Sequence, residues 1–152
     1  MDVLQPLNLP AYPFKITERD GQLSIFDELR KKQIIITPEE WVRQHFVQYL
    51  IADKHYPKTL IGLEGGLKLN GMPRRTDILV YNDKGAKVLL VECKAPSVKI
   101  SQQVFDQVAR YNWVHKVPLL AVTNGLEHYY CRIDFEKESY NFIPELPGYT
   151  QL

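Results

Sequence analysis

The sequence has few of the features that mark a secreted, disulfide-stabilised or membrane-bound protein. Its 152 residues contain two cysteines, Cys93 and Cys131, and neither lies in a CxxC or Cys/His metal-ligand spacing. Reduced thiols in a cytoplasm are the simplest account of this usage. No apolar run approaches the roughly 20 residues of a membrane helix, and the N-terminus lacks the basic and apolar regions of a signal peptide. We therefore expect a cytoplasmic protein without a membrane partner.

The chain also lacks a strong net charge and a nucleotide-binding loop. Its formal charge of +1 gives no nucleic-acid signal for the chain as a whole. Local basic clusters occur in residues 29–33, 67–75 and 94–99, where solvated faces and phosphate contacts are both consistent with the pattern. The glycines of "GLEGGLKLNG" have the wrong spacing for GxxxxGK[ST], and the Lys-Ser/Thr pair is missing. ATP binding is therefore not expected.

The order of apolar runs and turn signals predicts one globular domain of the mixed α/β class. We expect an N-terminal arm and a short hairpin at Asp20-Gly21 within residues 1–36, a layered domain in residues 37–134, and a tail without strong pattern in residues 135–152.

Helix and strand signals divide the central region. Thr37 and Pro38 begin one predicted helix, which extends to residue 54, and Ser101 begins a second, which extends to residue 116. Contiguous apolar runs predict central strands covered by helices on both faces, at residues 78–81, 88–91 and 119–122.

The stretch "KVLLVECKAPS", residues 87–97, ends a predicted buried strand with Glu92-Cys93-Lys94. If the preceding turn is centred on Asp83-Lys84, Asp77 lies opposite Leu90 on the neighbouring strand. Side chains alternate along a strand, so Asp77, Glu92 and Lys94 then share one face, while the Cys93 side chain points into the core.

Two carboxylates this close need a cation between them, unless Glu92 and Lys94 form only a surface ion pair. Mg²⁺, with Mn²⁺ as a substitute, takes oxygen ligands from Asp77, Glu92 and the Cys93 backbone carbonyl. Lys94 would activate water or neutralise charge that develops on a phosphate.

Both predicted helices add candidates. Gln103, Gln107 and Tyr111 recur every fourth residue and form a polar stripe that either supports the site or is an exposed helix flank. Glu40 follows Thr37 by three residues, which is typical of a capping box. Its other interpretation is that Glu40 faces the metal, with Arg43 and Gln44 one turn further on.

"RTDILVYNDKGAKVLLVECKAP" followed by "FDQVARYN" resembles the PD-(D/E)xK nuclease superfamily, and in particular the N-terminal nuclease domain of type I restriction enzyme R subunits. The resemblance implies a restriction-endonuclease-like core, a central mixed sheet of four or five strands flanked by helices, over residues 37–134. Thr76 replaces the proline before the acid.

The resemblance also implies roles for individual residues. Asp77 and Glu92 would be metal ligands, Lys94 the catalytic lysine, and Glu40 the acid of the first helix. Gln107 and Tyr111 would form the QxxxY element. Independently of the resemblance, Gln103, Arg43 and Arg75 are candidates for binding nucleic acid or for supporting the site.

We therefore expect a Mg²⁺-dependent deoxyribonuclease that acts on DNA without an ATP-driven motor, as a homodimer or with a helicase or specificity subunit. The alternative is a non-cutting module of the same fold that binds nucleic acid or protein, which the near-neutral charge favours. A cysteine enzyme using Cys93 with His115 or His128 is disfavoured, because Cys93 is expected to face the core.

Overall fold

The fold is given by a computed structural model that describes residues 4–63, 67–69, 72–74 and 78–152. These residues form two α-helices, α1 (Pro38–Gln48) and α2 (Gln102–His115). They also form the strands β1 (Ile16–Arg19), β2 (Gln22–Asp27), β3 (Lys32–Ile35), β4 (Ile61–Leu63), β5 (Leu67–Leu69), β6 (Met72–Arg74), β7 (Ile78–Tyr81), β8 (Lys87–Cys93), β9 (Leu119–Thr123), β10 (His128–Asp134) and β11 (Ser139–Ile143). No helix within the described ranges is long and apolar enough to cross a bilayer.

A six-stranded mixed sheet forms the centre of the molecule, with strand order β11-β10-β9-β8-β7-β4. Strands β8 and β9 are parallel and are connected through α2, whereas the other neighbours are antiparallel. The expected mixed sheet is thus confirmed. The sheet also includes β11, which lies in residues 135–152, where the sequence pattern predicted no element. The pattern missed this edge strand because it is mostly exposed and carries little apolar periodicity.

One helix packs on each face of the sheet, as the contiguous apolar strands predicted. Val42 and Phe46 of α1 belong to one buried cluster, which includes Val91 of β8. Phe105 and Val108 of α2 belong to the other, across the sheet. Burying each such side chain contributes about 1.5–3 kcal/mol, so the two clusters hold both helices against the strands.

Both predicted helix starts are confirmed. The Thr37 hydroxyl accepts a hydrogen bond from the Glu40 N–H (3.0 Å), and the Ser101 hydroxyl accepts one from the Val104 N–H (3.2 Å). Helix α1 ends earlier than its apolar pattern suggested, because residues Tyr49–Asp53 continue as a single π-helical turn.

The predicted register of the β7–β8 hairpin is wrong by two residues. Leu90 lies opposite Leu79, not opposite Asp77. One residue of the shift comes from the turn, where Asn82 pairs with Ala86 through its backbone N–H (2.8 Å) and Gly85 takes a φ of +79°. The other comes from a bulge at Val80. A two-residue shift preserves the alternation of faces, so the faces assigned to residues of β8 still hold.

A separate three-stranded antiparallel sheet, β1-β2-β3, precedes α1. The turn at Asp20-Gly21 is confirmed, with positive φ at both residues (54° and 77°), as a tight hairpin requires. Strand β3 was not predicted, since its sequence was interpreted only as part of a basic cluster. In the structure, this cluster forms the turn between β2 and β3 and the first residues of β3.

The N-terminal arm packs against the β9–β10 turn through His128. Its Nε2 lies 2.8 Å from the Asn8 carbonyl, and its Nδ1 lies 2.7 Å from the Thr123 hydroxyl. A carbonyl only accepts, so Nε2 donates and the neutral ring takes the threonine hydrogen at Nδ1. Burial lowers the pKa of His128 and that of His45, although a backbone hydrogen bond opposes the shift at each ring.

We expect the free energy of unfolding to fall as the pH drops below about 6.5. The folded state keeps His128 and His45 neutral while the unfolded chain binds protons, so each ring lowers stability by at most about 1.4 kcal/mol per pH unit in this window. Urea unfolding between pH 7.5 and 5.5 measures the effect, and His128→Gln should show a shallower slope. A stability that rises toward acid pH would contradict this interpretation.

Candidate active site

Glu92 and Lys94 lie at the end of the central strand β8. Glu92 is only 7% exposed, and one of its carboxylate oxygens lies 3.4 Å from the Lys94 Nζ. The Lys94 side chain is 27% exposed, so the ammonium borders solvent while the acid beside it is shielded. Cys93 points to the opposite face and is 1% exposed in the cluster around α1, as predicted. The strand end therefore presents an acid and a cation side by side.

The backbone that follows Glu92 is fixed by the neighbouring strand β9. The Lys94 N–H donates to the Thr123 carbonyl (2.8 Å), and the Asn124 side-chain amide donates to the Val98 carbonyl (2.9 Å). The Asn124 side-chain oxygen meanwhile accepts from two backbone N–H groups of its own turn. Sequence reasoning treated Asn124-Gly125 only as a turn and missed that Asn124 also holds the loop after Lys94.

Glu40 lies in a buried polar network at the start of α1. Its carboxylate is 3.2 Å from Arg30 Nη2, 3.5 Å from Arg43 Nη1 and 3.0 Å from Gln44 Nε2. Only the Thr37 half of the expected capping box forms, because the Glu40 carboxylate is directed at these three groups. Among contacts of the described residues, none joins Glu40 to Glu92 or Lys94.

Asp27 completes this network from strand β2 and was missed in the sequence. It is 1% exposed, accepts from Arg30 Nε (2.7 Å) and shares Gln44 Nε2 with Glu40 (3.0 Å). Burial alone would raise the pKa of Asp27, but the hydrogen bonds from Arg30 and Gln44 outweigh it and hold that pKa below its usual value. The sequence analysis predicted no turn at Asp27, although an Asp whose carboxylate accepts from backbone N–H groups two and three residues on is typical of a turn start.

Arg43 is 2% exposed and therefore lies inside the network rather than on a nucleic-acid-binding surface. Arg43 and Arg30 together place two guanidinium groups beside two buried carboxylates. Charges at this depth are retained in proteins only when they are paired and hydrogen-bonded. The network thus joins the N-terminal sheet to α1 through charge compensation.

The polar stripe on α2 is split between solvent and core. Gln103 and Gln107 are exposed, whereas Tyr111 is 3% exposed and contacts the His115 ring, with centroids 4.9 Å apart. Four residues advance a helix by about 400°, so every fourth residue drifts about 40° around the axis, and the third member of the stripe reaches the buried flank. The two glutamines are thus accessible to a ligand, whereas Tyr111 lies in the interior of the protein.

Two predicted site residues, Arg75 and Asp77, lie outside the described residues. Within the described ranges, no group of three His, Cys, Asp or Glu side chains comes together as a metal site. The chemistry of Glu92 fits a hard divalent cation, since it offers a shielded carboxylate at a strand end. A complete ligand set would need Asp77 and the backbone carbonyl of Cys93 as well.

An open cleft connects the end of β8 with the start of α1. Ala95, which follows Lys94 directly, lines this cleft together with Glu40, Arg43 and residues of β3. The cysteine-enzyme alternative gains no support, because Cys93 is buried and His128 is hydrogen-bonded to Thr123 and Asn8. The candidate site therefore consists of the Glu92–Lys94 pair, and the Glu40 network lines a neighbouring cleft that reaches Ala95.

Comparison with known proteins identifies the fold and a family model. Residues 38–147 match the model described as type I restriction enzyme R protein N terminus (HSDR_N). A similar solved structure is assigned as a fragment of the HsdR subunit of a type I restriction enzyme from Vibrio vulnificus YJ016, with a TM-score of 0.54 and 16% identity over 75% of this chain. This chain spans 24% of the length of that solved fragment. No curated protein matches. The mixed sheet with flanking helices is a restriction-endonuclease-like core.

Proposed function

Because the chain belongs to the family of type I restriction enzyme R protein N-terminal domains, we propose that it is a metal-dependent nuclease of the PD-(D/E)xK type that hydrolyses phosphodiester bonds in DNA. The observation that carries the proposal is the Glu92–Lys94 pair at the end of the central strand, with the two charged groups 3.4 Å apart and the lysine side chain 27% exposed. A buried acid beside a solvent-accessible cation is the arrangement that phosphate chemistry needs.

Asp77, Glu92 and the Cys93 carbonyl would hold Mg²⁺, or Mn²⁺ in its place. The ion would supply Lewis-acid stabilisation of negative charge on the phosphate. Lys94 would keep a positive charge beside the scissile phosphate, and the hydrogen bond from its backbone N–H to Thr123 would fix its position on the strand end. Gln103, Gln107 and Arg75 would contact DNA, and Tyr111 and Arg43 would support the site from buried positions.

The second candidate is a non-cutting module of the same fold that binds nucleic acid or protein. The observation that favours it is the Glu40 carboxylate, which two arginines and Gln44 already engage. A carboxylate compensated in this way is less available to a metal or its water. Under either candidate we place the protein in the cytoplasm, where its two buried thiols would stay reduced. Its partners would be DNA and a second copy, or a helicase or specificity subunit.

Calorimetric titration of Mg²⁺ and Mn²⁺, with and without a short DNA duplex, tests the proposal. We expect wild type to bind the ion and to cut the duplex. Asp77→Asn should lose both properties, because a neutral amide replaces one of the carboxylates proposed to hold the cation. Asp83→Asn is the matched control, since Asp83 is an exposed acid in the β7–β8 turn, and it should keep both.

Other outcomes separate the two candidates. Full metal-dependent cleavage by Asp77→Asn would remove Asp77 from the site. Duplex binding that needs no metal, falls steeply with salt and is never followed by cleavage would favour the non-cutting module. If the wild type neither binds an ion with duplex present nor binds duplex alone, DNA is not its ligand.

A further inference from the structure

The turn between β2 and β3 is held rigidly against α1. The Asp27 carboxylate accepts hydrogen bonds from the backbone N–H groups of Leu29 and Arg30, both 2.9 Å long. The Arg30 guanidinium then reaches Glu40 on α1. Lys31 has a φ of +56°, which reverses the chain so that β3 starts at the next residue. Strand β3 is thereby fixed relative to the helix, although it precedes the family match, which starts at residue 38.

Strand β3 forms one wall of the open cleft that ends at β8. The cleft has a volume of about 620 Å³ and is lined on one side by Lys32, Gln33 and Ile35. At its other side lies Ala95, the neighbour of Lys94. The cleft therefore extends from β3 to Ala95, the residue that follows Lys94.

The chemistry of this wall suits a phosphate backbone. Lys32 is exposed, and β3 is at the edge of its sheet in the described part of the chain. The Ile36 N–H pairs with Leu23 (3.0 Å), and in an antiparallel ladder alternate residues face the partner, so the N–H groups of Gln33 and Ile35 face the free edge. Lysine side chains and backbone N–H groups are the usual sequence-independent phosphate donors.

The acids that line the cleft do not cancel this preference. Glu40 is compensated by Arg30 and Arg43. The lining carries two acids, Glu39 and Glu40, and two bases, Lys32 and Arg43, so its formal charge is zero. The attraction for an anion thus comes from where Lys32 and the edge N–H groups lie, not from an excess of charge. Ile35, which is 54% exposed, adds an apolar surface against which a sugar can pack.

We propose that this cleft binds the sugar-phosphate backbone of a DNA strand beside the candidate active site, with Lys32 and the edge N–H groups of Gln33 and Ile35 as phosphate donors. The inference rests on the proposed function, because the ligand is the same. It gives the N-terminal sheet a direct part in binding.

Binding of a short fluorescein-labelled duplex in EDTA, followed by anisotropy over a series of KCl concentrations, tests the inference without metal or cleavage. The Kd of Lys32→Gln should rise about tenfold, and the slope of log K against log salt should fall by about 0.9 for the lost phosphate contact. Lys84→Gln is the control. It removes the same charge from an exposed turn at the opposite end of β8, and it should bind as wild type does.

Each other result overturns the inference in a distinguishable way. If wild type binds the duplex and Lys32→Gln keeps its Kd and slope, the edge of β3 belongs to another occupant, such as an extended peptide strand, and only this inference fails. If Lys84→Gln loses as much affinity as Lys32→Gln, the loss comes from the overall charge of the protein and not from a contact at β3. If wild type binds no duplex at all, the proposed function fails together with this inference.

Discussion

Replacing Lys94 by alanine is expected to lower the rate of DNA cleavage by about 100- to 1000-fold, while binding of the duplex changes much less. Lys94 would stabilise charge that appears only as the phosphodiester is attacked, and such groups contribute mainly to the rate. Its ammonium lies 3.4 Å from Glu92 at the end of β8. Single-turnover cleavage with saturating enzyme and Mg²⁺ measures the effect.

Lys94→Arg is the informative companion variant. It keeps the positive charge but changes its geometry, so partial activity is expected. Lys94→Arg should unfold at nearly the temperature of wild type, since it keeps a positive charge beside Glu92. Lys94→Ala removes the ammonium from a carboxylate that is only 7% exposed and should unfold at a somewhat lower temperature. Cleavage at the wild-type rate by Lys94→Ala would refute the catalytic assignment, and loss of duplex binding without loss of rate would make Lys94 a binding residue.

Replacing Arg30 by glutamine is expected to lower the free energy of unfolding by about 3–5 kcal/mol, as breaking a buried ion pair does. The guanidinium lies 2.7 Å from Asp27 and 3.2 Å from Glu40, and its removal leaves Asp27, which is 1% exposed, without a cation. Urea unfolding at pH 7.5 measures the loss. Arg30→Lys should recover part of it, because one ammonium cannot span both carboxylates as a guanidinium does.

Arg30→Gln is also expected to change how the stability of the protein depends on pH. In wild type the lowered pKa of Asp27 contributes stability that is present above the unfolded pKa of about 3.9 and is lost as the pH falls through the folded pKa. Arg30→Gln should lose this contribution, so its stability should depend less on pH in acid. Arg110→Gln, at an exposed position on α2, should change the free energy of unfolding by less than about 0.5 kcal/mol. Equal losses in Arg30→Gln and Arg110→Gln would show that the network does not stabilise the fold.

Local signals in the sequence were sufficient for most of the secondary structure. Thr37 and Ser101 cap the two helices, Asp20-Gly21 makes the first hairpin, and the apolar run of β8 is buried on both faces. Each depends on a few neighbouring residues whose conformational preference does not need the rest of the chain. Strand β11 was missed because it is an exposed edge strand that forms by pairing with β10 rather than by its own pattern.

The register of the β7–β8 hairpin could not be obtained from the same signals. The sequence gives no sign of the bulge at Val80, and the turn takes one more residue than the simplest hairpin. Cross-strand packing of Leu79 and Leu90 in the core sets the pairing instead. The faces predicted for Glu92 and Cys93 are nevertheless correct, because alternation along a strand is unaffected by a shift of two residues.

The residue pattern alone predicts both helices, the burial of β8 and the acid and lysine at its end. The surroundings of Glu40 depend instead on tertiary packing, since Asp27 and Arg30 precede α1 in the chain and meet it through side chains separated by 10 or more residues. Such contacts depend on how two packed layers meet, and no periodicity or propensity within either segment specifies that geometry.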